Sequence, residues 1–158
     1  MNRRLRLGLA VAAATALAYQ ATKWWLAGIV LPRQGRAIEL LPFANLVEVW
    51  NRGVSFGLFN DAQAPWAFVA LAGVVSIGLL WWLGRVETRL AALSIGLVLG
   101  GAVGNVVDRL RFGAVFDFLD VHAWGWHWPA FNLADSAISV GVVLLLLESL
   151  SGARESPK

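Results

Sequence analysis

Two aspartates in apolar surroundings, Asp117 in AVFDFL and Asp135 in FNLADSAIS, are the residues of this chain best suited to do chemistry. Carboxyl groups that share a poorly solvated site cannot both ionise cheaply, so one proton is held between them and their titrations separate. Such a pair offers an acid and a base together. The base can take a proton from water while the acid protonates a peptide carbonyl oxygen and later helps the amine leave; this hydrolysis requires no metal, Ser or Cys. The two acids flank the entrance of the last apolar segment and meet only if the chain folds back across it. For Asp117 the alternative is a water-facing position at a membrane edge, or a cap on the segment that follows.

Further polar residues stand where apolar ones would be expected. An ionisable group at membrane depth costs about 3 kcal/mol or more, which makes each a functional candidate. In GGAVGNVVDRL, Asn105, Asp108 and Arg109 are spaced i, i+3, i+4 and fall on one helical face. Asp108 and Arg109 can offset each other's charge there, and the plain alternative is an ion pair closing a helix end. Gly100, Gly101 and Gly104 allow a neighbouring helix to approach closely. In FNLADSAIS, Asn132 and Asp135 are i, i+3, and Ser136 and Ser139 continue a polar stripe that should face protein or water. Asn and Ser often serve only as glue between helices, but a buried Asp needs a partner or a proton. Asn51 and Gly53, in NRGVSFGLF, could bring a side-chain amide and a flexible backbone to the same surface, although on these residues alone a plain turn is the better reading.

The elements that must position these residues are membrane helices. The 158 residues are 58% hydrophobic and 15% charged, a balance unsuited to a water-soluble domain. Four stretches, near residues 7–30, 65–84, 90–107 and 131–150, approach the roughly 20 apolar residues that a span takes. They make a single domain over 1–158. Most of the nine Trp fall in clusters, Trp24 with Trp25, Trp81 with Trp82, then Trp124, Trp126 and Trp128, at the ends of apolar runs where interfacial belts form. The absence of Cys removes disulfides and thiol chemistry, and His122 and His127 alone make a histidine-rich metal cage a poor expectation. The net charge of +3 is dispersed along the chain, so no nucleic-acid partner is expected.

Arg3, Arg4 and Arg6, then Arg85 and Arg89, then Arg154 and Lys158 flank the spans on what should be one side, the cytoplasm. Both termini would then be inside, and segments 31–64 and 108–130 outside. The outer segments also carry Arg33, Arg36, Arg52 and Arg111, offset by Glu39, Glu48, Asp61 and Asp120. The first span can alternatively be read as a signal peptide cleaved after Ala16-Leu17-Ala18, which would leave a mature N-terminus near Tyr19. Against this, the apolar character continues to Val30. The alternation in AIELLPFANLVEVWNRGVSFGLF predicts a small sheet or hairpin lying on the membrane, with Phe56, Leu58 and Phe59 dipping into lipid. FGAVFDFLDVHAWGWHWPA also reads as extended, with Val115, Asp117 and Leu119 on one face.

The blocks NRGVSFGLF, GNVVDR, VFDF and FNLADS, in this order across four spans, resemble the signatures of the lipoprotein signal peptidase family, also called signal peptidase II. The resemblance covers nearly the whole chain. It implies a four-helix membrane protein with a small extracytoplasmic β-cradle and an amphipathic arm. It also implies an aspartyl endopeptidase of the bacterial inner membrane, with its active site towards the periplasm, that cuts prolipoproteins just before their diacylglyceryl-modified Cys. Asp117 and Asp135 map to the family's catalytic pair; Asn51, Gly53, Asn105, Asp108, Arg109 and Asn132 map to binding or supporting positions. No metal or other cofactor is implied, the partners are lipid-modified substrates and membrane lipid, and a monomer is expected. One departure stands out: where the family reads like DQxTK, this chain has Tyr19-Gln20-Ala21-Thr22-Lys23, so that Tyr19 replaces an acid and a supporting hydrogen bond or ion pair is put in question.

Intramembrane Asp, Asn and Arg also suit a proton-coupled transporter or a noncatalytic scaffold. The acids, however, lie towards span ends rather than the midplane, and no inverted repeat is visible. Isosteric Asn changes discriminate: a peptidase loses activity from either, a scaffold loses its fold, and a transporter responds to the proton gradient.

Overall fold

The computed structural model describes residues 2–31, 35–53 and 64–154. Four helices, α1 (Arg3–Val30), α2 (Ala64–Leu83), α3 (Arg89–Phe112) and α4 (Leu133–Arg154), are joined by four strands, β1 (Ile38–Leu41), β2 (Ala44–Asn51), β3 (Val115–Ala123) and β4 (Trp126–His127). Both segments expected to be extended therefore contribute strands, in one antiparallel order β1-β2-β3-β4. Phe56, Leu58 and Phe59 lie outside the described residues. Among those described, no amphipathic arm stands apart from the sheet.

The hub is α3, which packs on α1, α4 and α2. Its small residues make this possible: a Cβ on Gly100 would lie 2.5 Å from the Ala12 carbonyl oxygen of α1, and one on Gly101 would lie 2.5 Å from that of Ala134 in α4. Lipid-facing helices need no such care. Along α2, Leu71, Val74, Ile77 and Trp81 are all exposed, as on a helix that is apolar all round.

Three helices, over Trp66–Leu83, Arg89–Phe112 and Leu133–Leu150, are long and apolar enough to cross a membrane. The expected fourth span, α1, is long but does not meet the same apolar standard among the described residues, because Tyr19, Gln20 and Lys23 interrupt it. A second difference concerns α3. It continues past the expected span end at 107 to Phe112, so the helix on which Asn105, Asp108 and Arg109 were expected extends into the segment counted as outer. Gly113 stops it in the left-handed conformation (φ 68°), its N–H donating to the Arg109 carbonyl at 3.0 Å.

The sheet grows directly from this stop. Phe116 and Phe118 of β3 and Leu46 of β2 pack with Leu26, Ala27 and Val30 of α1, so the sheet closes over the end of the bundle where β3 leaves α3.

Candidate active site

The two acids reach one site by different local devices. Asp117 is on β3 opposite Val49, two positions from the Val115–Asn51 pair, so Asn51 is its diagonal neighbour. The Asn51 Nδ2 donates to Asp117 Oδ2 at 3.1 Å. Asp135 belongs to the first turn of α4. Asn132 precedes that helix, its Oδ1 accepting from the N–H groups of Ala134 (2.7 Å) and Asp135 (3.1 Å), while Asp135 Oδ2 accepts from the Asn132 N–H at 3.2 Å. This is a reciprocal capping box with Asp in the acidic role, and it fixes the carboxylate at a helix N-terminus, where negative charge is favoured.

Asn132 also joins the two acids. Its Nδ2 donates to Asp117 Oδ1 at 2.7 Å and lies 3.3 Å from Asn105 Oδ1, whose own Nδ2 donates to Asp135 Oδ1 at 2.8 Å. Three amides from β2, α3 and the α4 cap thus hold two carboxyl groups. Asp117 is only 1% exposed, so the water-facing alternative does not apply. Burial, followed by the nearby charge of Asp135, outweighs the hydrogen bonds from Asn51 and Asn132 and the charge of Arg109, and pushes the Asp117 carboxyl up to about 7.

Arg109 reaches towards Gly53, its Nη2 donating to the Gly53 carbonyl at 3.2 Å, and among the described residues its buried Nε has no acceptor. Gly53 is also held by Asn51, whose Oδ1 accepts its N–H at 3.1 Å, so the plain turn and the site contact are both present.

Asp108 behaves otherwise. It does not pair with Arg109, and its hydrogen bonds go to neither acid nor to the amides that hold them. Fully buried, it accepts from Lys23 Nζ at 2.5 Å, Tyr19 Oη at 2.7 Å and Gln20 Nε2 at 3.1 Å, all from α1, and weakly from the Phe116 N–H at 3.4 Å. The physical reason is helical geometry: adjacent residues point about 100° apart, so Asp108 turns to α1 while Arg109 turns to the sheet side. Tyr19, in place of an acid, thus supplies a hydrogen bond to this cluster, and its ring passes where a Cβ on Gly104 would lie 2.6 Å away. The sequence signal for Lys23 was present, since a lysine inside an apolar helix requires a partner. The polar stripe of α4 ends early: Ser136 returns its hydroxyl to the Asn132 carbonyl and Ser139 is exposed.

A second polar group lies further along the sheet. Asp120 accepts from Asn45 Nδ2 at 3.0 Å and sits 2.9 Å from His127 Nδ1. Burial alone would raise its titration, but the hydrogen bonds from Asn45 and His127, with the imidazole charges, prevail and hold it below the usual carboxylate range.

Apolar helices around a hub, closed at one end by a sheet and holding two amide-clamped acids where sheet and helices meet, define a membrane protein with a sequestered acid pair. A family model described as signal peptidase (SPase) II matches residues 11–151. The chain is 49% identical over 150 residues to the lipoprotein signal peptidase of Methylobacterium sp. (strain 4-46), covering 94% of this chain and 91% of that one. It is 46% identical over 157 residues to that of Methylorubrum extorquens (strain PA1), covering 96% and 90%. A solved structure described as a bacterial membrane enzyme superposes with a TM-score of 0.81 at 26% identity, over 96% of this chain and 92% of that one. The chain belongs to the signal peptidase II family, and is a peptidase.

Proposed function

We propose that the protein is an aspartyl endopeptidase of the bacterial inner membrane that removes signal peptides from diacylglyceryl-modified prolipoproteins, cutting before the lipidated Cys. The observation that carries this reading is the joint clamp: Asn132 bonds the Asp117 carboxyl through its side chain and the Asp135 carboxyl through its backbone. In this mechanism the pair shares one proton, held on Asp117, the more deeply buried of the two, while Asp135 carries the charge at the helix N-terminus, where it is favoured. Asp135 takes a proton from water as the water attacks the scissile carbonyl, and Asp117 gives its proton to the carbonyl oxygen. On collapse, the proton on Asp135 passes to the leaving amine while Asp117 takes a proton back from one hydroxyl of the gem-diol, which restores the starting pair. Asn51, Asn105 and Asn132 hold the acids in register, and the Nε–H of Arg109, next to Gly53 and without an acceptor among the described residues, is available to a substrate carbonyl.

The same reading makes α1 a fourth span. Its 28 residues would extend about 42 Å at the usual rise. Its three interrupting polar residues all turn to Asp108, so lipid does not meet them. Both termini are then cytoplasmic, and the sheet and acid pair face the periplasm. The lipid anchor of the substrate lies among apolar side chains while its backbone meets the acids.

The test is cleavage of a diacylglyceryl-modified prolipoprotein by purified protein in lipid, with and without a chelator. Wild type should cut in both conditions, and folded Asp117→Asn and Asp135→Asn should each lose about 100-fold or more. Retained cleavage in either variant refutes the role given to that aspartate.

A further inference from the structure

The far end of the sheet breaks a local rule. Ala123 pairs with Trp126 across a two-residue turn whose residues, Trp124 (φ 50°) and Gly125 (φ 80°), both have positive φ. That is a type I′ hairpin, in which the first position favours Asn, Asp or Gly and an aromatic side chain is strained. Trp124 is also fully exposed, so no packing within the described residues compensates for it. Trp126 and Trp128 beside it are 60% and 54% exposed and stack edge to face. The adjoining β1–β2 turn is apolar as well: Leu41 and Phe43 are exposed, and the Phe43 carbonyl accepts from the His122 N–H at 2.9 Å, which places both turns at one end of the sheet. Neither turn, Leu41-Pro42-Phe43 or Ala123-Trp124-Gly125-Trp126, contains a charge.

Aromatic contacts tie the other end of the sheet to the end of α1. Trp24, exposed near the end of α1, touches Phe112, which touches Trp50 of β2, so the sheet begins at the level of an interfacial Trp pair. β3 and the returning chain are bridged at Leu119–Phe131, two residues before α4, and the hairpin then runs four residues beyond that point, about 13 Å. Along the hairpin, Val121, His122, Ala123, Trp126, Trp128 and Phe131 line an open groove of about 310 Å³.

We infer that the β3–β4 tip, with Trp124 at its apex, is a lipid anchor that inserts at the boundary between headgroups and acyl chains and seats the sheet on the bilayer. An uncharged tip of Trp, Phe and Leu, continuous through Phe131 with the apolar surface of α4, matches that boundary and not water. The strain at Trp124 is what this anchoring costs. The inference rests on the chain spanning a bilayer in the orientation given above, and not on the chemistry of the acid pair.

The chain has no Cys, so a spin label on Ala123→Cys reports a single site that leaves Trp124 in place. In phosphatidylcholine–phosphatidylglycerol vesicles the label should be relaxed by oxygen several-fold more than by an aqueous nickel chelate, and Trp124→Asn added to it should reverse that order. Trp124→Asn alone should unfold in detergent at the same or a higher temperature than wild type, since Asn suits the turn. A label dominated by the nickel chelate with Trp124 present, or one unaffected by Trp124→Asn, overturns the anchor, and so does a Trp124→Asn variant less stable in detergent. None of these readouts uses cleavage, so failure of the anchor and failure of the peptidase mechanism are distinguishable.

Discussion

Replacing Asp117 by Asn should inactivate the protein and, above neutral pH, stabilise it. The carboxyl is 1% exposed and titrates near 7 in place of 3.8. Linkage sets the sign. Because the folded value is the raised one, the unfolded chain gives up its proton first, and the folded protein must either retain the proton or carry a buried charge. This contribution to stability is full below about pH 4 and is lost as pH rises to about 7, at up to ~1.4 kcal/mol per unit. The interval of about three units is worth on the order of 4 kcal/mol, and Asn never incurs it. Asn has its own cost. Asp117 accepts one amide donor on each oxygen, from Asn51 at 3.1 Å and Asn132 at 2.7 Å. Asn offers a single oxygen, so one donor meets an NH₂ group, a loss of about 1–2 kcal/mol. The variant should therefore be less stable than wild type by roughly 1–2 kcal/mol near pH 4 and more stable by roughly 2–3 kcal/mol near pH 8, with the curves crossing between. Thermal unfolding in detergent from pH 4 to 9 measures both arms. A variant less stable than wild type throughout, with an unchanged pH slope, would refute the reasoning, because Asp117 would then not be the raised group.

Tyr19→Phe keeps the ring beside Gly104 and removes only the hydroxyl bond to Asp108, so thermal unfolding should show a loss of about 1.5–3 kcal/mol, while Lys23→Met, which leaves the buried Asp108 charge uncompensated, should lose about 3–5 kcal/mol. Gly101→Leu should abolish folding or cleavage, since its Cβ would lie 2.5 Å from the Ala134 carbonyl two residues beyond the Asn132 cap; Gly28→Leu, with nothing within 4 Å, should leave the melting temperature and cleavage rate unchanged.

The sequence was most legible where solvent makes the rule simple. An apolar run of about 20 residues has few soluble alternatives, and α2, α3 and α4 lie where hydropathy locates them. Two of the amides around the acids were legible for the same reason: Asn105 and Asn132 are costly in apolar surroundings unless they bond something, whereas Asn51, in an outer segment where a plain turn sufficed, was marked only by the resemblance. The ends of α3 and the composition of the sheet were less so. A charged residue normally marks the edge of a span, but Asp108 is neutralised by a lysine 85 positions earlier, and that partner lets the helix continue to Phe112. No local pattern encodes such a pairing. Nor does alternation reveal that β2 and β3, separated by two helices, share one sheet.

One turn of α3 explains why these features belong together. Asn105 faces Asp135 of α4, Asp108 faces α1, and Arg109 reaches the Gly53 carbonyl beyond β2. Three partners thus read the rotation of a single helix, and each is a polar contact that a slip of one residue would break by swinging its donor or acceptor through about 100°. The close approaches at Gly100 and Gly101 restrict that rotation sterically, and the polar contacts add a discrimination that Leu and Val do not supply, because neighbouring helices and lipid tails are similar environments for them. The Asp108 cluster can therefore be remote from the acids in hydrogen bonding and still govern them: it fixes the register of the helix that supplies Asn105, and through Asn105 and Asn132 the separation of the two carboxyl groups. Tyr19 fits this cluster as a neutral donor, since Lys23 already offsets the charge of Asp108 and the Tyr19 hydroxyl bonds the carboxylate's other oxygen.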